Sequence, residues 1–267
     1  MSAEPRTLAP FGRRLLRVAK NERLGAYNMI WVADSDGPPP VPGQFYMLAS
    51  RRDWGGDDGR PYLPRAFSYA RATESALGFL LDAIGPGTTR LCRLGQDDGI
   101  WVTGPLGIGF TAPERGRPLL VGGGIGAAPL LCWRDQLGLK TMTLLGFRSA
   151  DHAEIQHYFT GAQIATDDGS VGHHGFVTEL LRRELDRDAA ATVYACGPPP
   201  MLEAVRALAA EREVSAQLAM ESGMACGFGA CMGCVVATKR GYVRLCLDGP
   251  IVDASELESA LVPGAPH

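Results

Sequence analysis

No stretch of this 267-residue chain approaches the roughly 20 apolar residues that a bilayer-crossing helix needs. Charge of either sign is not in excess: 26 Lys and Arg stand against 29 Asp and Glu, a formal net charge of −3. That balance offers no electrostatic case for nucleic acid or an anionic membrane. Scattered arginines such as Arg13, Arg14, Arg182 and Arg183 read as solvated faces. Histidine is scarce; the five present lack metal-ligand spacing and read as surface residues. Residues 1–10 carry neither an apolar h-region nor a cleavage-site pattern, so the expectation is a soluble cytoplasmic protein. Cysteines number seven, too few and too unevenly placed for a disulfide scaffold. Internal repeats and low-complexity segments are missing as well.

What is present divides into three textures. Residues 14–20, 26–33, 44–49, 66–70, 77–83 and 99–103 are short β-like runs separated by turn residues, among them a polar turn at 21–25 and a Pro/Gly loop at 37–43. Strands at this spacing predict a small antiparallel barrel, with a helix over residues 88–94 inside the segment. Residues 112–118 read as a linker. Beyond it, strand-like 118–121, 141–146, 162–165 and 192–194 alternate with helix-like 127–136, 177–185 and 201–211, which predicts a doubly wound parallel sheet. The expected fold class is therefore β-barrel plus α/β: an antiparallel barrel domain over 10–112, an α/β domain over 116–218 and a small C-terminal module over 219–267.

Four of the seven cysteines fall within 21 residues of that module, spaced Cys226-x4-Cys231-x2-Cys234-x11-Cys246. The first three match the plant-ferredoxin spacing for a 2Fe–2S cluster. Gly227, Gly229 and Gly233 permit a loop that wraps a small rhomb and turns amide N–H groups toward sulfur. A structural zinc site also uses four thiolates, but zinc ribbons pair two short Cys-x2-Cys knuckles and this chain has one.

Two further segments suit a nucleotide. Gly122-Gly123-Gly124-Ile125-Gly126 lies between an apolar strand and a helix, where bare N–H groups can meet a pyrophosphate. It departs from the usual Gly-x-Gly-x-x-Gly, and a tight structural turn is the competing reading. Cys196-Gly197-Pro198 follows a strand, at the carboxyl end where open α/β sheets bind ligands. Within the barrel, Arg65-Ala66-Phe67-Ser68 offers a permanently charged fork for a diphosphate and a hydroxyl for a flavin ring. Gly85-Pro86-Gly87-Thr88-Thr89 supplies more N–H groups and hydroxyls. Taken singly, each of these reads equally as a solvated arginine or an ordinary turn.

Arg-x-Phe-Ser, Gly-x-Gly-Thr, Gly-Pro-Leu-Gly (residues 104–107), Gly-Gly-Gly-Ile-Gly and Cys-Gly-Pro, in that order, resemble the ferredoxin–NADP reductase superfamily. With the cysteine module added, the chain resembles the electron-transfer subunits of dihydroorotate dehydrogenase B. The likeness runs over nearly the whole chain, including Thr166-Asp167-Asp168-Gly169-Ser170, Glu221 and Met224 before the first cysteine, and Asp248-Gly249-Pro250 after the last. It implies that Arg65, Ala66, Phe67 and Ser68 line an FAD, with Leu81, Asp82, Ala83, Gly87, Thr88 and Thr89 completing its site. Gly122, Gly123, Gly124, Ile125, Gly126, Cys196, Gly197 and Pro198 would bind NAD, with NADP left open. Ser68 and Cys196 would stand nearest the reacting rings, and Cys226, Cys231, Cys234 and Cys246 would ligate the 2Fe–2S cluster.

Three departures stand out from that family pattern. Ala66 replaces a frequent proline. Arg148 follows the strand at 141–146, where an acid would meet a ribose. Residues 53–60 look inserted. The implied activity is that of an NAD(P)-linked oxidoreductase subunit in pyrimidine biosynthesis, passing electrons between a catalytic flavoprotein of the dihydroorotate dehydrogenase type and NAD through the cluster and FAD. No dihydroorotate pocket with its own base is visible, so a hetero-oligomer with that partner is expected. The same chemistry in a hydrogenase, sulfite reductase or bifurcating complex is the alternative, and a non-catalytic redox sensor or a colourless zinc module are rivals of other classes.

Overall fold

The computed structural model describes residues 12–55, 61–138 and 141–262; residues 56–60 of the inserted segment lie outside the described residues. Six strands close the barrel: β1 (Arg13–Leu24), β2 (Tyr27–Ala33), β3 (Phe45–Ser50), β4 (Arg65–Ala72), β5 (Ala76–Asp82) and β6 (Gly99–Leu106), in the order β1-β2-β5-β4-β3-β6. Burial alternates strictly along β6, the period of a strand with one face inside. Val18, Ile30, Tyr46, Leu48, Phe79 and Leu81 fill the interior. Helix α1 (Pro86–Cys92) follows β5 and starts two residues earlier than its apolar spacing suggests. The turn expected at 21–25 is shorter, because β1 runs on to Leu24. Its polar Asn21 is satisfied from the side, donating to the carbonyls of Cys92 and Leu94 at 2.9 and 2.7 Å.

The second unit is a seven-stranded sheet. Its strands are β7 (Arg117–Gly123), β8 (Met142–Phe147), β9 (Gln163–Thr166), β10 (His173–His174), β11 (Ala191–Cys196), β12 (Ser215–Ala219) and β15 (Ile251–Asp253), ordered β10-β9-β8-β7-β11-β12-β15. All pair in parallel except β15, which adds antiparallel to β12. Successive residues of a buried strand serve opposite cores. Leu119, Val121, Leu144 and Val193 face α4 (Val177–Arg187) and α5 (Pro199–Glu211). Leu120, Leu145 and Tyr194 face α2 (Ala127–Leu137), where Leu130 and Trp133 pack. The short α3 (Ala150–Ala153) follows β8.

Barrel and sheet share that second core, since Tyr27, Met29, Ala70 and Leu80 belong to it. Arg71 adds a two-pronged bond to Asp135 on α2, at 2.9 and 3.3 Å. The C-terminal segment carries a hairpin, β13 (Val235–Thr238) and β14 (Gly241–Arg244), then α6 (Leu245–Asp248) before β15. Among the described residues no helix is long and apolar enough to cross a membrane.

Past β15 the chain is clamped to α5 by one carboxylate. Glu203 accepts from Arg206 at 2.6 Å, from the Ser259 hydroxyl at 3.1 Å and from the Ala260 N–H at 2.5 Å. Arg206 is the main reason its carboxyl is held down at about 2; partial burial opposes the shift, and the Ala260 and Ser259 donors add to it. A carboxyl depressed on folding contributes stability that is present above its ordinary value of 4.5 and is lost as pH falls through about 2. Glu203→Gln is expected to lower stability at pH 7 by on the order of 1 kcal/mol, discounted for partial exposure. The difference from the native chain should shrink as pH falls through that window. Equal denaturant midpoints at pH 7 would remove the clamp from the account.

Candidate functional site

The glycine-rich cysteine loop sits against the barrel wall. A Cβ on Gly227, whose φ is +79°, would lie 2.7 Å from Met47 of β3, so only glycine allows the loop this close. Backbone N–H groups point at every sulfur. Phe228 donates to Cys226 at 3.5 Å, Gly229 to Cys246 at 3.1 Å, Gly233 to Cys231 at 3.4 Å and Cys246 to Cys234 at 3.5 Å. Such donors stabilise thiolates and tune a bound cluster. Cys226 has Cys231 as a neighbour, and Cys246 has Cys234. Among the described residues, no three His, Cys, Asp or Glu side chains are gathered as one metal ion would require. The Cys-x4-Cys-x2-Cys run with a distant fourth cysteine suits a 2Fe–2S cluster better than the paired knuckles of a zinc ribbon.

The charges argue the same way. Burial pushes the Cys226 thiol up, but N–H groups of Cys231, Phe228 and Ala230 outweigh it and hold the thiol at about 7. Burial, then the neighbouring Cys234, push Cys246 up to about 12. The four thiols cannot all ionise without positive charge nearby, which bound metal ions would supply.

A cavity of about 930 Å³ opens between barrel and sheet. On the barrel side it is lined by Arg65, Ala66, Phe67 and Ser68 of β4, by Asp82, and by Gly87 and Thr88 of α1. On the sheet side, three neighbouring strand ends empty into it: Gly123 to Gly126 after β7, Cys196 to Pro198 after β11, and Met220 to Ser222 after β12. Their adjacency is a matter of register, because Cys196 pairs with Gly122 on one side and with Ala219 on the other. The chain leaves β7 toward β8 in one direction and returns at β11 in the other, which makes this crevice the topological switch point. Gly124 has φ +55°, and a Cβ on Gly126 would lie 2.4 Å from the Cys196 carbonyl oxygen. Glycine is therefore favoured at 124 and required at 126.

Cys196 is buried, which is the main reason its thiol is pushed well above 9; Glu221 and Cys132 add to the shift. It faces the cavity as a neutral thiol. Glu221 is hemmed in by protein yet opens onto the cavity, and burial raises its carboxyl to about 7. Phe45 lines the cavity and also packs in the same apolar core as Met47, Leu106, Cys234 and Cys246. Phe45 thus belongs both to the cavity wall and to the core that holds Cys234 and Cys246.

Most residues singled out from the sequence come together on this cavity; Leu81, Ala83, Thr89 and Gly122 do not line it. Leu81 is wholly buried in the barrel core, and Gly122 packs beneath Leu145 and Leu130, where a side chain would collide. Other liners were not singled out as site residues: Tyr27, His152, Phe176 and Met201, and Glu221, whose one signal was its place in the family likeness before the first cysteine. Tyr27 and His152 meet edge to face at 5.7 Å across the barrel–sheet junction, a contact no local pattern encodes.

A family model described as the iron–sulfur cluster binding domain of dihydroorotate dehydrogenase B matches residues 221–258. The dihydroorotate dehydrogenase B (NAD(+)) electron transfer subunit of Caldanaerobacter subterraneus subsp. tengcongensis is 33% identical over 90% of this chain and 96% of its own. A probable subunit of the same name from Thermococcus kodakarensis is 41% identical over 67% of this chain and 75% of its own. Among solved structures, that of an NADH-dependent reduced ferredoxin-NADP oxidoreductase superposes with a TM-score of 0.80 at 24% identity, covering 92% of this chain and 90% of that one. A ferredoxin NADP+ reductase from Neisseria gonorrhoeae, solved with bound FAD and NADP, superposes with a TM-score of 0.62 at 16% identity, over 75% of this chain and 92% of that one.

Because Gly126 meets backbone rather than a flexible side chain, Gly126→Ala is expected to cost about 2 kcal/mol of stability and to weaken nicotinamide nucleotide binding at least tenfold. Gly223→Ala, where nothing lies within 4 Å of the added carbon, is the control and should leave stability unchanged. Native-like unfolding and nucleotide titration of the Gly126 variant would disprove the close-contact argument.

Proposed function

The chain belongs to the family of dihydroorotate dehydrogenase B electron-transfer subunits, and on that premise we propose that its cavity takes FAD and a nicotinamide nucleotide while Cys226, Cys231, Cys234 and Cys246 hold a 2Fe–2S cluster. The observation that carries this reading is Phe45, which lines the cavity and packs in the same apolar core as Cys234 and Cys246. When bound, a flavin exchanges electrons in pairs with a nicotinamide and singly with an iron–sulfur cluster, so it suits a place between the two.

The chain's own residues bind and orient. Arg65 faces the cavity with a fork suited to a diphosphate, beside Gly87 and Thr88. Ser68 offers a hydroxyl donor to a flavin ring nitrogen. Gly123, Gly124, Ile125, Gly126, Gly197 and Pro198 form a wall with little side-chain bulk for the nucleotide. The neutral Cys196 thiol packs near the reacting rings without adding charge. Gly122 supports this wall from behind; on the barrel side Leu81 lies in the core, and Ala83 and Thr89 adjoin Asp82 and Thr88 in the chain. Glu221 supplies a carboxyl that ionises near neutrality, and its anion favours the cationic, oxidised nicotinamide over the neutral, reduced ring. The exposed Cys231 and Met232 edge of the cysteine loop supports electron exchange with a partner docked there. That partner is the catalytic subunit of dihydroorotate dehydrogenase, the nucleotide is NAD, and the working compartment is the cytoplasm, whose reducing conditions suit a thiolate site.

Prepared without oxygen, the protein is expected to show flavin peaks with a broad iron–sulfur shoulder, both bleaching with NADH. Joined with the catalytic subunit, it should confer dihydroorotate-dependent reduction of NAD+ that neither subunit shows alone. A colourless protein containing zinc would overturn the cluster, and bleaching without any joint activity would overturn the partner.

Glu221 gives a separate pH test. Its carboxyl is neutral below about 7 and charged above it, so the rate of bleaching by NADH should rise several-fold as pH passes through 7. Glu221→Gln should flatten that rise at the low-pH rate. A profile that the substitution leaves unchanged would remove Glu221 from the reaction.

A further inference from the structure

Trp54 stands in the inserted segment that no motif explains, and its surroundings are specific. The segment's described ends are tied by the Gly55 N–H donating to the Pro61 carbonyl at 2.7 Å. The indole packs against the barrel core and is half-buried. Its N–H is buried without a hydrogen-bond partner among the described residues. A buried, unmet donor is destabilising, so the ring's donor is not what this position uses. What the ring meets instead is the Arg65 guanidinium, 5.8 Å from its centroid, within the range of a cation–π contact.

Arg65 needs such a hold. No carboxylate pairs with it among the described residues, and its one hydrogen bond to protein runs from Nη1 to the Leu63 carbonyl at 2.6 Å. Nε and Nη2 lie over Gly87, where an added Cβ would sit 2.9 Å and 3.2 Å from them. The guanidinium is thus bounded by the Leu63 carbonyl, the bare Gly87 backbone and the Trp54 ring. Arg65 and Gly87 line the cavity, and Trp54 does not.

We propose that Trp54 is a positioning residue, holding the Arg65 guanidinium in the orientation that receives the flavin's diphosphate. Trp54 touches no cofactor; it removes rotamer freedom that Arg65 would otherwise lose on binding. Trp54 then has a function, which is to set an aromatic face against the back of the binding arginine. This rests on the flavin reading above.

The test titrates flavin-free protein with FAD and with riboflavin, which lacks the diphosphate. Trp54→Leu is expected to weaken FAD binding about tenfold and leave riboflavin binding unchanged. Trp54→Phe, which keeps an aromatic face, should bind FAD nearly as the native chain does. In an Arg65→Ala background, Trp54→Leu should add no further loss, since the contact is already gone. Equal weakening toward both flavins, or a loss that persists in the Arg65→Ala background, would make Trp54 a packing residue and overturn the proposal. Native binding of FAD by Trp54→Leu would overturn it too. If the native protein binds no FAD at all, the flavin reading itself fails, a result separate from all of these.

Discussion

The site depends on how closely β7 and β11 deliver their ends. Cys196 pairs directly with Gly122, so the loop after β7 must turn away within van der Waals reach of the Cys196 carbonyl. Only Gly126 permits that approach, and from it follows the crevice at the switch point. Once the two ends are fixed side by side, β12 falls into register against β11 and presents Glu221 to the same space. The barrel closes the other wall, because Tyr27, Met29, Ala70 and Leu80 share their core with α2. Binding surface and domain packing are therefore one arrangement, and a change at the strand ends reaches both.

The cysteine loop depends on a second close approach, Gly227 against Met47. This seats the thiols next to the barrel strand whose Phe45 faces the cavity. Phe45 lines the cavity and shares its core with Cys234 and Cys246, so cavity wall and cysteine loop are packed together. N–H groups aimed at each sulfur make the loop ready for anionic ligands before any metal enters. Cys226 is shifted down and Cys246 up, an imbalance that bound metal ions would offset. Anchoring continues past the loop, where β15 joins the sheet and Glu203 holds the following turn.

Much of the fold was legible because both periodicities are clean. Alternation in β6 and continuous apolar runs in β7 and β11 separate a half-buried barrel from a sheet covered on both faces. The cysteine spacing and glycine-rich turn were legible for another reason: their chemistry needs particular residues at fixed short separations. The expected turn at 21–25 came out shorter because Asn21 finds carbonyl partners 71 and 73 residues away, and local polarity cannot report such partners. Gly122 reads as part of a phosphate loop but packs beneath Leu145, since only the three-dimensional turn decides which glycine faces outward.

By itself the sequence determined the barrel, the central strands of the doubly wound sheet and the spacing of the four cysteines, since each is written in local period or spacing. Tertiary structure alone decided that Tyr27, His152 and Phe176 line the cavity and that Glu221 titrates near neutrality. It also decided that Trp54 backs Arg65. These facts arise where elements far apart in the chain meet, and burial, register and the reach of a side chain across a junction exist only after folding.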